Sequence, residues 1–218
     1  MAGAGATQDG EGWQVKTMAG TVVSLVARFP PLRRVAYRLL HPRARGIVAW
    51  IEPCLRSGDR IVDIGCGTGN VTDLLREAGW AVTAVDVEDL SLTVRVTPVL
   101  YGGAVLPFEA DHFDVALIGC VLHHVRDHER LLREAGRVAP RLVVIEDVYR
   151  TPASRYATTV VDSLLTLEFG GHPHTNRTDA GWRRLFARLG LELRDADYRG
   201  TLGVIRQARY CLERRPTG

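Results

Sequence analysis

Between Thr17 and Leu55 the apolar residues recur at helical spacing, broken at Pro30-Pro31 and again at Pro42, which predicts a short helical preface. The texture then changes. Arg60 to Ile64, Ala81 to Val87, Phe113 to Gly119 and Arg141 to Val148 are short β-branched runs that read as strands. Asn70 to Ala78 and Asp127 to Val138, which separate them, carry the spacing of helices. Strands alternating with helices predict βαβ units and an α/β fold, a parallel sheet covered on both faces.

The end of the chain follows another pattern. Thr178 to Leu189 has helical periodicity, with Thr178 or Asp179 placed to cap it and Gly190 to stop it. Leu191 to Tyr198 and Leu202 to Leu212 read as two strands joined by Arg199-Gly200-Thr201. Such a link is too short for a parallel crossover, so the sheet is expected to finish in an antiparallel hairpin.

Composition narrows the class. A chain of 218 residues with 46% hydrophobic content can bury one sizeable core, and a net charge of +3 is too small to imply a nucleic-acid or membrane partner without a concentrated patch, so neither is expected. The four cysteines, Cys54, Cys66, Cys120 and Cys211, are scattered, forming neither a C-x-x-C pair nor a disulfide framework, which fits a reducing, cytoplasmic setting. No stretch approaches the ~20 apolar residues that span a bilayer, and the Gly/Ala-rich start does not read as a signal peptide. Residues 1–16 are expected to be a disordered tail ahead of a single domain, 17–218.

The most informative run is Val62-Asp63-Ile64-Gly65-Cys66-Gly67-Thr68-Gly69, an apolar strand leading through three glycines into a helix. Glycine reaches backbone conformations closed to other residues and lets a ligand touch the main chain. Asn70 stands where the dinucleotide fingerprint carries its third glycine, which argues against NAD. Asp86 ends the next apolar strand, at the distance where an acid reaches a ribose. A carboxylate there accepts from two vicinal hydroxyls and repels a 2′-phosphate, so an adenosine ribose is expected.

Together with Leu106-Pro107-Phe108, Phe113-Asp114, Val121-Leu122-His123-His124 and Arg137-Val138, these residues resemble the class I S-adenosylmethionine-dependent methyltransferases, especially their small-molecule branch. The likeness is strong from Arg60 to Val148 and weak elsewhere. It implies a Rossmann-like, seven-stranded, mostly parallel sheet with an antiparallel C-terminal strand, S-adenosylmethionine as cofactor and S-adenosylhomocysteine as product. It divides the domain into a helical lid (17–57), a cofactor-binding core (58–150), a substrate lid segment (151–177) and a C-terminal helix and hairpin (178–218). By the same resemblance Asp63 helps to fix the methionine ammonium, Gly65, Cys66, Gly67, Thr68 and Gly69 line the cofactor, and Asp86 holds the ribose. Cys120 and Val121 would flank the methionyl end. Many relatives carry an acid just before the leucine-proline-phenylalanine motif; here Tyr101-Gly102-Gly103-Ala104 has none, so adenine is expected to rest on backbone groups and on Val87, Ala104 and Val105.

Methyl transfer from a sulfonium is an in-line displacement, so the protein must align donor and acceptor and, for an oxygen or carbon acceptor, take a proton. His123 and His124 follow the fourth strand, and a histidine near its free pKa of ~6.5 suits that task; the alternative is that they cap and pack the following turn. His172 and His174 lie in a Gly-rich stretch of the substrate lid and are further candidates for proton transfer, or an exposed loop. As an H-x-H pair they lack a third and fourth ligand at convincing spacing, so no metal is expected. Of Glu146 and Asp147 at the end of the fifth strand, one is expected to face the crevice and the other to cap a loop.

The apolar stretch Thr21 to Leu40, with Arg28, Arg33, Arg34 and Arg38, fits either a lid over the site or an amphipathic helix on an anionic membrane, and the lid is preferred. The leading reading is methyl transfer to oxygen, nitrogen or carbon of a small molecule, a secondary metabolite among the options, by a monomer or homodimer. Two others stay open: a non-methylating protein of the same fold, serving as cyclase or ligand-binding partner, and a methyltransferase acting on a macromolecule or lipid. Cys120-Val121-Leu122-His123 stands where exocyclic-amine methylation would place asparagine-proline-proline-aromatic, and no basic aromatic platform for nucleic acid is evident.

Overall fold

The computed structural model describes residues 18–149, 177–201 and 205–215. The helical preface is α1 (Met18–Arg28) and α2 (Pro30–Ile51). Pro30 and Pro31 occupy the first positions of α2, where the missing N–H groups have no intrahelical partner to lose. The expected break at Pro42 does not occur, because α2 continues through it for two further turns. Ala44, Trp50 and Ile51, buried beyond the proline, hold that last part of the helix on the domain.

Alternation then begins as expected: β1 (Arg60–Ile64), α3 (Asn70–Glu77), β2 (Ala81–Asp86), β3 (Val99–Leu100), β4 (Val115–Gly119), α4 (His128–Val138) and β5 (Arg141–Val148). The two-residue β3, too short to show a period, pairs only at the tip of β2. After the segment that is not described come α5 (Asp179–Arg188), β6 (Leu191–Thr201) and β7 (Ile205–Arg214). Thr178 caps α5, its hydroxyl accepting from the Gly181 N–H at 3.1 Å, and Gly190 at φ 73° ends it. The hairpin turn is displaced from its expected place: Arg199, Gly200 and Thr201 belong to β6, where they pair with Gln207, Arg206 and Ile205.

The strands form one sheet in the order β3-β2-β1-β4-β5-β7-β6, parallel from β3 to β5, with β7 antiparallel to both its neighbours. This is the Rossmann-like sheet with a reversed final strand. Strand alternation divides the core. Val62, Ile64, Ala116, Ile118, Leu142 and Val144 pack toward α4 and α5, whereas Ile61, Val115, Leu117, Val143 and Ile145 pack toward Leu75 of α3 and Trp50 and Ile51 of α2. The reading of the cysteines is corrected: Cys54, just past α2, is disulfide-bonded to Cys211 of β7 with Cα atoms 5.8 Å apart. Spacing along the chain gives no hint of a pair whose members lie 157 residues apart.

Candidate active site

The carboxyl ends of β1, β2 and β4 meet at the switch point of the sheet, where parallel α/β folds open a crevice. The glycine run forms the floor. Gly65, Gly67 and Gly69 all have positive φ, 75°, 50° and 75°, for separable reasons. A Cβ on Gly65 would lie 2.4 Å from Cγ2 of Val121, so the loop and the end of β4 could not approach as they do. At Gly67 a Cβ would meet nothing within 4 Å, so its α-carbon faces open space, where a ligand can approach the backbone closely.

Asp86 joins the loop to the tip of β2. Its Oδ2 accepts from the Gly67 N–H at 2.8 Å and its Oδ1 from the Val87 N–H at 2.7 Å. Burial pushes its carboxyl upward in pKa, and the backbone donors oppose that. Asp63 is buried beneath the loop, where its Oδ2 accepts from the Thr72 hydroxyl at 2.6 Å. Desolvation raises its carboxyl to about 6, Asp86 adds to the rise and the Thr72 hydroxyl opposes it. A cation placed beside Asp63 would reverse that shift, which suits it to an ammonium.

Of the residues expected to meet adenine, Val87 and Val105 are exposed and Ala104 is half-buried. Apolar groups left to solvent beside a loop of this kind fit a flat aromatic ring. The Leu106-Pro107-Phe108 segment is clamped from α4. Arg137 donates to the carbonyls of Phe108 and Leu106 at 2.8 and 3.1 Å and pairs with Glu134, whose Oε2 accepts from the Leu106 N–H at 3.1 Å. That clamp gives the Arg137-Val138 motif its physical meaning, one that spacing alone did not supply.

Cys120, directly after β4, adopts φ 57°, a conformation a side chain adopts only under strain. It turns the chain so that Leu122 to His124 form a single 3-10 turn over the sheet. His123 is 3% exposed, and its Nδ1 lies 2.7 Å from Oε2 of Glu146, while Oε1 of Glu146 accepts from the Leu122 N–H at 2.7 Å. The His124 ring lies beside that of His123, centroids 4.0 Å apart. Asp147, facing the other way, accepts from Gln207 Nε2 at 2.9 Å. So Glu146 is the acid that holds the loop, through the Leu122 N–H, and it also holds His123, a contact not expected from the sequence.

The structure thus brings Asp63, Gly65 to Gly69, Asp86, Val87, Cys120, Val121, His123 and His124 around the ends of neighbouring strands, with Ala104 and Val105 in the segment that follows β3. His172 and His174, with the lid segment 151–176, lie outside the described residues. Glu134 and Thr72 are not signalled by the sequence, because the site groups they hold, the Leu106 N–H and Asp63, stand on other elements.

Residues 62–141 match the family model described as a methyltransferase domain. A ribosomal protein methyltransferase of Thermotoga neapolitana is 30% identical over 107 residues, 45% of this chain and 40% of that protein. A ubiquinone biosynthesis O-methyltransferase of Bordetella parapertussis is 27% identical over 122 residues, 49% of this chain and 51% of that one. The chain therefore spans about half the length, or less, of these curated relatives. A crystal structure of an S-adenosylmethionine-dependent methyltransferase from Methanosarcina mazei superposes with a TM-score of 0.61 at 19% identity, over 75% of this chain and 96% of that chain. Residues 62–141 thus match a methyltransferase domain, and the sheet has the fold of solved S-adenosylmethionine-dependent methyltransferases, as the motif resemblance implied.

Proposed function

We propose that this chain binds S-adenosylmethionine across the ends of β1, β2 and β4 and directs its methyl group to an oxygen, nitrogen or carbon atom of a small molecule. The observation that carries the reading is Gly67, whose α-carbon faces open space while its N–H is tied to the Asp86 carboxylate at the neighbouring strand tip. Gly65 to Gly69 would line the cofactor, Asp86 accept from its ribose, Asp63 take its ammonium, and Val87, Ala104 and Val105 bracket its adenine. When bound, the cofactor supplies an electrophilic methyl on sulfur.

The chain's own residues would then position the acceptor and receive its proton. A carboxylate bonded at Nδ1 orients the His123 ring and favours the tautomer with its lone pair on Nε2, the form a general base needs. Burial of the pair fits a site that works away from water. The relative named as a ubiquinone biosynthesis O-methyltransferase supports an oxygen of a small molecule as the acceptor. The one named for a ribosomal protein supports a second reading, methylation of a protein.

Calorimetry with S-adenosylmethionine and S-adenosylhomocysteine tests the cofactor site: binding is expected for both and is expected to be lost in Asp86→Ala. Label transfer from the methyl donor into phenolic small molecules, against transfer into ribosomal proteins, separates the acceptors. No heat with either cofactor form would end the proposal.

A further inference from the structure

The helical preface carries a feature that the catalytic reading does not use. From Met18 to Ile51 there is no acidic residue, yet there are arginines at 28, 33, 34, 38, 43 and 45. One side of α2 is committed to the domain. Tyr37 donates to Asp73 of α3 at 2.7 Å, its carbonyl accepts from Asn70 at 3.0 Å, and Ala44 and Ile51, two and four turns further along the same side, are buried. On the helix these residues fix which way the remaining faces point.

Leu32, Val35 and Leu39, at spacing i, i+3, i+7, form a stripe away from that anchored side, and they are 54%, 54% and 75% exposed. Leu25 and Phe29, at the end of α1 and the junction, are exposed as well. Arg34, Arg38 and Arg45 share a neighbouring face of α2, Arg43 stands one turn beyond Leu39, and all four are exposed. An apolar stripe bordered only by cations is complementary to a surface that is apolar inside and anionic at its boundary. A water-soluble acidic partner would match the arginines and leave Leu32, Val35 and Leu39 unmatched. A neutral apolar partner would match the stripe and bury the cations unpaired.

We propose that the outer face of α1 and α2 is a peripheral docking surface for an anionic lipid bilayer, lying in the interface with the stripe toward the acyl chains and the guanidinium groups among the phosphates. Among the described residues no helix is long and apolar enough to cross a membrane, so the attachment is to one leaflet and reversible. The sequence reading favoured a lid because such a face could equally close over the site. The exposure of the stripe, with the opposite side of α2 already packed on α3, changes that preference. This proposal stands whether or not the chain methylates anything.

The test is co-sedimentation of the full chain with vesicles of phosphatidylcholine alone and of phosphatidylcholine mixed with phosphatidylglycerol. Binding is expected to the anionic vesicles only, and to weaken as salt rises. Arg34→Gln with Arg38→Gln is expected to reduce it on the order of tenfold, and Leu32→Glu with Leu39→Glu to abolish it. Circular dichroism and cofactor calorimetry on the same variants confirm that the domain stays folded, since these side chains lie on the exposed side. Three outcomes overturn the proposal: no binding at any anionic fraction, equal binding by the Leu32→Glu, Leu39→Glu variant, or a dimer in solution that this variant splits, which would assign the face to a second copy.

Discussion

Nδ1 of His123 and Oε2 of Glu146 lie 2.7 Å apart in the interior, although 23 residues separate them in the chain. The contact exists because β4 and β5 are parallel neighbours, so the turn after one reaches the end of the other. Glu146 also holds the Leu122 N–H, and the pair therefore fixes the whole turn after Cys120.

If His123 receives the acceptor's proton, Glu146→Gln lowers kcat about a hundredfold or more while leaving the cofactor Kd within a factor of a few. His123→Ala gives a loss of similar size, and the double variant is no worse than the worse single one, because the two act as a unit. Single-turnover kinetics across pH check this. A Glu146→Gln enzyme with an unchanged rate and pH profile would leave the pair a packing device. Glu146→Ala, which strands two buried partners, is expected to cost about 3 kcal/mol in urea unfolding.

The first two glycines of the loop should separate folding from binding. Gly65→Ala forces a Cβ into Val121 at positive φ and is expected to lower stability by about 2 kcal/mol or more, with partial rescue by Val121→Ala. Gly67→Ala meets no protein atom, so its cost should stay near ~1 kcal/mol from backbone conformation alone. Yet it should weaken S-adenosylmethionine binding strongly, because the methyl occupies the space left for the ligand. Thermal melts paired with calorimetry distinguish the two.

Asp63 supplies a pH dependence whose sign follows from its burial. Its folded carboxyl titrates at about 6, above the unfolded 3.8, so the folded chain holds a proton that the unfolded chain has lost between those values. Stability of the ligand-free protein should fall as pH rises through that window. Binding of the methyl donor should move the other way, tightening from pH 5 to 7 and flattening above, since an ammonium favours the ionised acid. Asp63→Asn is expected to remove both slopes. Calorimetric titrations at several pH values that show no slope in the wild type would dissociate Asp63 from the ammonium.

The Arg137 clamp predicts a conservative substitution that is not neutral. Arg137→Lys keeps the charge but loses the planar fork that reaches two carbonyls and Glu134 at once, and about 1–2 kcal/mol of stability with it. Hydrogen exchange should show the loss concentrated at Leu106 to Phe108, beside the adenine side of the crevice.

Much of this was legible along the chain. The change from helical to alternating periodicity located β1, β2, β4 and β5, and Gly190 ended α5 where expected, because such signals act over a few neighbouring residues. The same holds for the glycine loop and for Asp86, which lie within one βαβ unit. Pro42 misled, since its local cost is outweighed by the burial of Trp50 and Ile51. The hairpin turn was misplaced because turn-forming residues can also sit in a strand when a partner such as Arg206 pairs with them.

Sequence by itself therefore determined the class of sheet, the glycine loop after β1 and the acid beside it at the tip of β2. Only the tertiary structure decided that His123 belongs to Glu146, that Cys54 meets Cys211, and that Leu32, Val35 and Leu39 face outward. Backbone preference and hydrophobic period are written residue by residue, whereas these relations arise from which strands lie side by side and which face of a helix the core has already claimed.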